Sequence, residues 1–105
     1  MVERSQLYIA TPYVYLREPL VIDDGGERPT RAIGYAIRLL IYACNHNEVA
    51  SLVEAEITDG EVQWDKTSVW SPSRGELSER EAREADEYLG TGVCSRSGRA
   101  FFEEG

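Results

Sequence analysis

Apolar residues are most concentrated between positions 33 and 43, where the chain reads IGYAIRLLIYA. With the two-residue period of a strand, this segment has one unbroken apolar face, which consists of Ile33, Tyr35, Ile37, Leu39, Ile41 and Ala43. With the helical period it has a polar stripe, which consists of Arg31, Tyr35, Arg38, Tyr42 and Asn45. Because isoleucine and tyrosine favour strands, the sequence predicts a buried central strand.

The next segment carries the signals of a helix over residues 48–57. Asn45, with Glu48 three residues later, resembles a capping box, in which each side chain binds a free backbone N–H group. The apolar positions then recur along one helical face and are Val49, Leu52, Val53 and Ile57. Gly60 is suited to end the helix, and residues 61–64 resume a strand pattern. The sequence therefore predicts a βαβ unit.

A second interpretation of the same segment is a hairpin. Asp59 followed by Gly60 is a strong signal for a two-residue β-turn. If residues 52–58 form a strand, Val53 and Ile57 lie on one of its faces. The alternative fold is then an antiparallel meander with a C-terminal helix.

The N-terminal part of the chain predicts strands. Residues 6–11 and 13–17 are rich in Tyr, Val, Ile and Leu, and Pro12 separates them. Because proline cannot donate to a strand ladder, these strands are expected at a sheet edge. Residues 23–29 contain two adjacent glycines and predict a loop.

The C-terminal part predicts one helix and one short strand. Ser78 and Glu81 form a capping box for a helix over residues 79–89, which Glu and Arg residues four positions apart support. Residues 95–98 predict a loop, and residues 99–103 predict the last strand.

This order of elements predicts the fold class. A single domain over residues 1–105 is expected from the length of the chain. The predicted fold is α+β, a two-layer sandwich with a mostly antiparallel sheet and both helices on one face, in a ferredoxin-like order of elements.

The charge balance limits the partners that this protein can bind. Lys and Arg number 11 and Asp and Glu number 19, which gives a net charge of −8. Such a charge disfavours nucleic acid and anionic lipid, because both are bound mainly by cations. It favours solubility, and it also favours a protein partner with a basic surface.

The sequence also indicates a location. The first residues lack the pattern of a signal peptide, and the apolar run ending at Cys44 is shorter than the roughly 20 residues of a membrane span and contains Arg38. Two cysteines, Cys44 and Cys94, do not form a disulfide framework. We therefore predict a cytoplasmic protein.

Candidate chemistry is sparse. Cys44 and His46 stand close together, but neighbours so close in sequence seldom form a nucleophile–base pair, and Cys94 has no metal-ligand neighbour. No cofactor or phosphate-loop motif occurs. No catalytic residue, metal or cofactor is predicted.

One short segment resembles an anion site. Four residues, one of which is Arg96, stand between Cys94 and Arg99 at the end of the predicted loop, whereas the phosphate loop of thiolate phosphatases needs five residues between Cys and Arg. Arg96 and Arg99 could still hold an anion with backbone amides of the loop. This gives the alternative function, a small enzyme or anion binder.

Aromatic residues give the main functional prediction. Many of them lie on predicted strands, and helices on one face of the sheet would leave the other face open, with Tyr42, Trp64 and Trp70 as candidate binding residues. The sequence therefore predicts a protein-binding module without catalytic activity, such as an inhibitor, an immunity-type factor or a regulator. A homodimer through the open face is a second way to cover it.

Overall fold

Four segments of the chain form the frame of the protein, and each consists of two strands that follow one another in the sequence with an interruption between them. The computed structural model describes residues 5–22 and 30–103, and these form eight strands and two α-helices. The strands are β1 (Gln6–Thr11), β2 (Tyr13–Ile22), β3 (Thr30–Ala36), β4 (Leu39–Ala43), β5 (Gly60–Val62), β6 (Ser68–Trp70), β7 (Gly92–Arg96) and β8 (Ala100–Glu103). The helices are α1 (His46–Glu56) and α2 (Glu79–Glu87).

The interruptions divide these strands into two four-stranded sheets. The first sheet has the order β6-β1-β4-β7 and the second has the order β5-β2-β3-β8. All pairs among the described strands are antiparallel. Each segment thus continues from one sheet into the other. The molecule is elongated and measures 57 × 27 × 19 Å.

Hydrogen bonds cross the junction between the sheets. The carbonyl of Pro12 accepts from the backbone N–H of Ile37 at 3.3 Å. The backbone N–H of Arg38 donates to the hydroxyl of Ser97 at 2.9 Å, and the carbonyl of Arg38 accepts from the backbone N–H of Ser97 at 2.9 Å. The backbone N–H of Tyr13 donates to the hydroxyl of Thr67 at 3.2 Å. Side-chain hydroxyls thus replace the backbone partners that the interrupted strands lack.

The helices lie against opposite faces of the first sheet. On the α1 side one buried cluster continues from the first sheet to Val14 and Tyr35 of the second sheet, and its residues are Tyr8, Ala10, Val14, Tyr35, Leu39, Ile41, Ala43, Val49, Val53 and Ile57. On the α2 face the buried residues are Ile9, Leu40 and Ala85, with Leu7, Tyr42, Trp70, Leu77 and Cys94 packed against them. Consecutive residues of β1 and β4 alternate between these two clusters, as the geometry of a strand requires.

This arrangement corrects the prediction that both helices cover one face. Leu39, Leu40 and Ile41 are consecutive and all fully buried, so β4 is apolar on both sides. A strand of this kind needs cover on both faces, and one helix supplies each.

The region around the predicted βαβ unit is partly as expected. Residues 46–56 form a helix and not the strand of the hairpin alternative, and the side chain of Asn45 accepts from the N–H of Glu48 at 2.9 Å. The predicted central strand is however two strands, β3 and β4, which lie in different sheets. The predicted βαβ unit does not form within one sheet, because α1 connects β4 to β5 in the other sheet.

The predictions for the C-terminal part are also confirmed in part and wrong in part. The capping box of Ser78 and Glu81 is present, and α2 ends at Glu87. The predicted loop over residues 95–98 is wrong in part, because residues 92–96 form β7. The predicted loop over residues 23–29 lies outside the described residues. Within the described ranges, no helix combines the length and hydropathy that a bilayer span requires.

Candidate interaction surface

The second sheet carries an aromatic cluster on one face. We call this surface the aromatic face and define it by Tyr13, Tyr15, Phe102 and Lys66. The rings of Tyr13 and Phe102 are stacked, with centroids 4.5 Å apart and an angle of 16° between their planes. The ring of Tyr15 stands edge-on to both, at 5.8 Å from Tyr13 and 6.0 Å from Phe102. Such offset and edge-to-face contacts are the favoured geometries of aromatic pairs.

Gly34 makes room for this cluster. A Cβ atom at this position would lie 2.3 Å from Cζ of Phe102 and 2.3 Å from the carbonyl oxygen of Val14. Both distances are far below van der Waals contact, so Phe102 can lie over β3 only because residue 34 has no side chain.

Lys66 completes the aromatic face. Its Nζ lies 5.1 Å from the ring centroid of Tyr13 and 5.3 Å from that of Tyr15, within the range of cation–π attraction. It also donates to the Tyr15 hydroxyl at 3.0 Å, and this bond raises the pKa of Lys66. The cation is therefore held over two rings that stand perpendicular to each other.

The aromatic face is open in the described part of the chain. Both helices pack mainly against strands of the first sheet. Tyr15 is 37% exposed, Lys66 is exposed, and Tyr13 and Phe102 are half-buried. The exposed rings and the uncovered cation are thus accessible to another molecule.

The opposite face of the second sheet carries a polar group around a buried tyrosine. The hydroxyl of Tyr35 donates to Oδ1 of Asp59 at 2.7 Å, and Nη1 of Arg99 donates to Oδ2 at 2.9 Å. The guanidinium carbon of Arg99 lies 4.6 Å from the ring centroid of Tyr35. Burial, followed by the hydrogen bond and the charge of Asp59, raises the pKa of Tyr35 to about 12. Tyr35 is therefore a fixed donor at neutral pH.

The five predicted binding residues do not form one common surface. Tyr42 donates to the carbonyl of Ala85 at 3.1 Å and packs under α2, close to Trp70 in the same cluster. Trp64 is 37% exposed at the edge of the second sheet, and its indole N–H donates to Glu54 at 3.1 Å. The structure therefore does not bring Tyr42 and Trp70 to an open face.

The two predicted arginines are also apart. Arg96 binds both carboxylate oxygens of Glu56 on α1, one of them through Nη2 at 3.1 Å. Arg99 belongs to the Tyr35 group described above. The hydrogen bond with Glu56 raises the pKa of Arg96 and lowers that of Glu56. Each arginine thus has a carboxylate of the chain itself as its partner.

Cys94 does not join these arginines in a phosphate loop. It lies in β7 and packs on the α2 side, where its thiol contacts the carbonyl of Leu40 at 3.4 Å. Arg96 points to α1 on the other side of the sheet. Burial raises the pKa of the Cys94 thiol, which disfavours the reactive thiolate.

The other chemical candidates are dispersed as well. The ring of His46 contacts Tyr8 edge-on at 5.0 Å. Cys44 and Cys94 are not joined in a disulfide. In the ranges that the structure describes, no group of three or more His, Cys, Asp or Glu is placed to hold a metal ion.

Sequence reasoning did not single out the residues of the aromatic face. The spacing of Tyr13 and Tyr15 placed both on one strand face, which was the available signal. Phe102 and Lys66 reach them only through the pairing of β8 with β3 and of β5 with β2.

Comparisons with protein families, with characterised proteins and with solved structures find no match to this chain.

Proposed function

We propose that this protein is a binding module without catalytic activity that docks on a protein partner through the aromatic face. The observation that carries the proposal is the open cluster of Tyr13, Tyr15 and Phe102 with Lys66 above it. Tyrosine and other aromatic residues are enriched at the centre of protein interfaces, because they bury a large area at a low cost in conformational entropy.

The charge of the chain indicates the chemistry of the partner. The net charge is −8. Glu61 pairs with Tyr15 across the strands, and Asp65 is next to Lys66 in the sequence and interacts with its charge. We propose a partner with a basic rim around an apolar or aromatic centre. Opposite charges would raise the rate of encounter and fix the orientation of the complex.

Such docking is the way in which an inhibitor, an immunity-type factor or a regulator acts. Cys44 and Cys94, which form no disulfide with each other, fit a protein that works in the reducing cytoplasm. A second copy of this chain could cover the same face, but two surfaces with the same negative charge repel each other, which favours the basic partner.

The test compares matched variants as baits in lysate of the source cells and then with the purified partner. Lys66→Ala removes the cation of the aromatic face, and Tyr15→Ala/Lys66→Ala removes the ring of Tyr15 as well. Leu89→Ala is the control, because Leu89 is 91% exposed elsewhere. We expect a partner that the wild type and Leu89→Ala retain equally. Affinity for it should fall about tenfold or more in the double variant.

Salt dependence and oligomeric state complete this test. The affinity should weaken as salt rises, because screening reduces the attraction between opposite charges. Sedimentation of the purified protein should show a monomer. Equal retention of the partner by the double variant, or a dimer that the double variant abolishes, would contradict the proposal.

A further inference from the structure

An irregularity of β2 opens a cleft on the side of the sheet that faces away from the aromatic face. Tyr15 pairs with Gly34 and Leu20 pairs with Ala32, so the four residues 16–19 stand opposite one residue of β3. The bulged segment is held in place by a hydrogen bond of 3.2 Å from the N–H of Arg17 to the carbonyl of Asp59. Bulges often mark functional sites, because they turn side chains away from the regular sheet.

The resulting cleft has a volume of about 380 Å³, within the range of small-ligand sites. Its walls combine apolar and charged side chains, and these are Leu16, Arg17, Glu18, Leu20, Asp59 and Arg99. The cleft is thus large enough for a small organic molecule with one charged end.

Arg99 is a prepositioned cation in this cleft. Asp59 is engaged at both oxygens, by Tyr35 at 2.7 Å and by Arg99 at 2.9 Å, so the guanidinium is fixed at one end. Its Nε and Nη2 groups have no hydrogen-bond partner among the described residues, and the side chain is 48% exposed. These N–H groups remain available to a ligand.

Arg17 supplies a second cation. Its guanidinium has no ion-pair partner among the described residues, although the chain has eight more acidic than basic side chains. Its backbone is fixed by the bond to Asp59, and Leu16 and Leu20 provide an apolar wall next to it.

We propose that this cleft binds a small monocarboxylate with a short apolar chain. The carboxylate would accept hydrogen bonds from Arg17 and Arg99, since guanidinium groups match the geometry of a carboxylate, and the chain would lie against Leu16 and Leu20. A dianion such as phosphate is disfavoured, because Glu18 and Asp59 also line the cleft and balance the two arginines. This site is independent of the proposed protein docking, which uses the other face of the sheet.

The test is a titration of the full chain, followed by the backbone amide signals of Arg17, Gly60 and Arg99 in NMR spectra. The probe is 4-methylpentanoate, and the comparison probes are 4-methyl-1-pentanol, 3-methylbutylamine and inorganic phosphate. We expect saturable shifts with the carboxylate and a Kd of about 1 mM, as for ligands of this size. The alcohol, the amine and phosphate should bind at least about tenfold more weakly.

Matched variants identify the cation. Arg17→Gln should weaken 4-methylpentanoate binding about tenfold, whereas Arg83→Gln, which removes the same charge from exposed α2, should bind as the wild type does. Arg17 makes no ion pair in the described structure, so its removal should not unfold the protein. The proposal is overturned by equal binding of the alcohol, by equal affinities of Arg17→Gln and Arg83→Gln, or by no saturable shift.

Discussion

Arg38 and Glu81 join the junction between the two sheets to the first turn of α2. Nε of Arg38 donates to one carboxylate oxygen of Glu81 at 2.9 Å, and Nη2 donates to the other at 3.3 Å. Nη2 also donates to the carbonyl of Glu76 at 2.9 Å. Glu81 accepts in addition from the N–H of Ser78, the cap of the helix. One carboxylate thus serves the helix end and the interrupted strand together.

This relationship predicts a loss of stability when the cation is removed. Arg38→Met leaves the nearly buried Glu81 carboxylate without its charged partner, and we expect a decrease of about 2 kcal/mol in the free energy of unfolding. Urea unfolding followed by circular dichroism measures it. Arg80→Met, in an exposed pair with Glu84, is the control and should change stability by less than about 0.5 kcal/mol. Equal effects of the two variants would contradict the prediction.

Glu81 also predicts how stability depends on acid. Burial by itself would raise the pKa of Glu81, but hydrogen bonds from Ser78 and Arg38 hold it below its usual value. A carboxyl with a depressed pKa in the folded state stabilises the fold above its unfolded pKa of about 4.3, and this stabilisation is lost as pH falls below that value.

The corresponding measurement is urea unfolding of wild type and Glu81→Gln from pH 7 to pH 3. The wild type should lose more stability than Glu81→Gln as the pH falls below about 4.3, because the variant has no carboxyl to protonate at this position. Parallel curves for the two proteins would show that Glu81 does not contribute to the acid sensitivity.

The raised pKa of Tyr35 predicts that the protein loses stability at alkaline pH. Its pKa is raised to about 12, so the folded state keeps the phenol proton at pH values where an unfolded tyrosine has lost it. Stability from this group is complete below pH 10 and is lost as pH rises from about 10 towards 12.

The variant Tyr35→Phe tests this assignment. It should lose the tyrosine that titrates near pH 12 in ultraviolet difference spectra, and it should be less stable at pH 7 by about 1 kcal/mol, because Asp59 loses a donor. Tyr15→Phe is the control, since Tyr15 lies at the surface and its hydroxyl contacts Lys66 and not Asp59. If the tyrosine that titrates near pH 12 disappears in Tyr15→Phe and remains in Tyr35→Phe, the assignment of this pKa to Tyr35 is wrong.

Gly34 provides a steric prediction for the aromatic face. Gly34→Ala places a Cβ against Phe102 and against the backbone carbonyl of Val14, and we expect a loss of about 2 kcal/mol or more in stability. Gly75→Ala is the matched control, because nothing lies within 4 Å of the added atom there. Thermal unfolding measures both, and a Gly34→Ala protein as stable as the control would show that Phe102 does not lie over β3.

The sequence by itself determined the local structure. The caps of both helices follow from side chains three residues apart, and Asn45 and Ser78 accept the hydrogen bonds that their spacing predicts. The placement of successive β4 side chains on opposite faces also follows from the sequence, because a strand turns successive side chains to opposite faces. The net charge and the absence of a phosphate-loop motif are likewise properties of the sequence alone.

Only the tertiary structure decided which faces are covered and which side chains meet. In the sequence, Arg38 interrupts an apolar run. In the structure it lies at the junction between the two sheets and binds Glu81, which is 43 residues away. The aromatic face and the cleft likewise depend on three strand pairings, which are β2 with β3, β2 with β5 and β3 with β8. Capping and alternation act within a few residues, whereas strand pairing joins distant segments whose register is set by the packing of the whole chain.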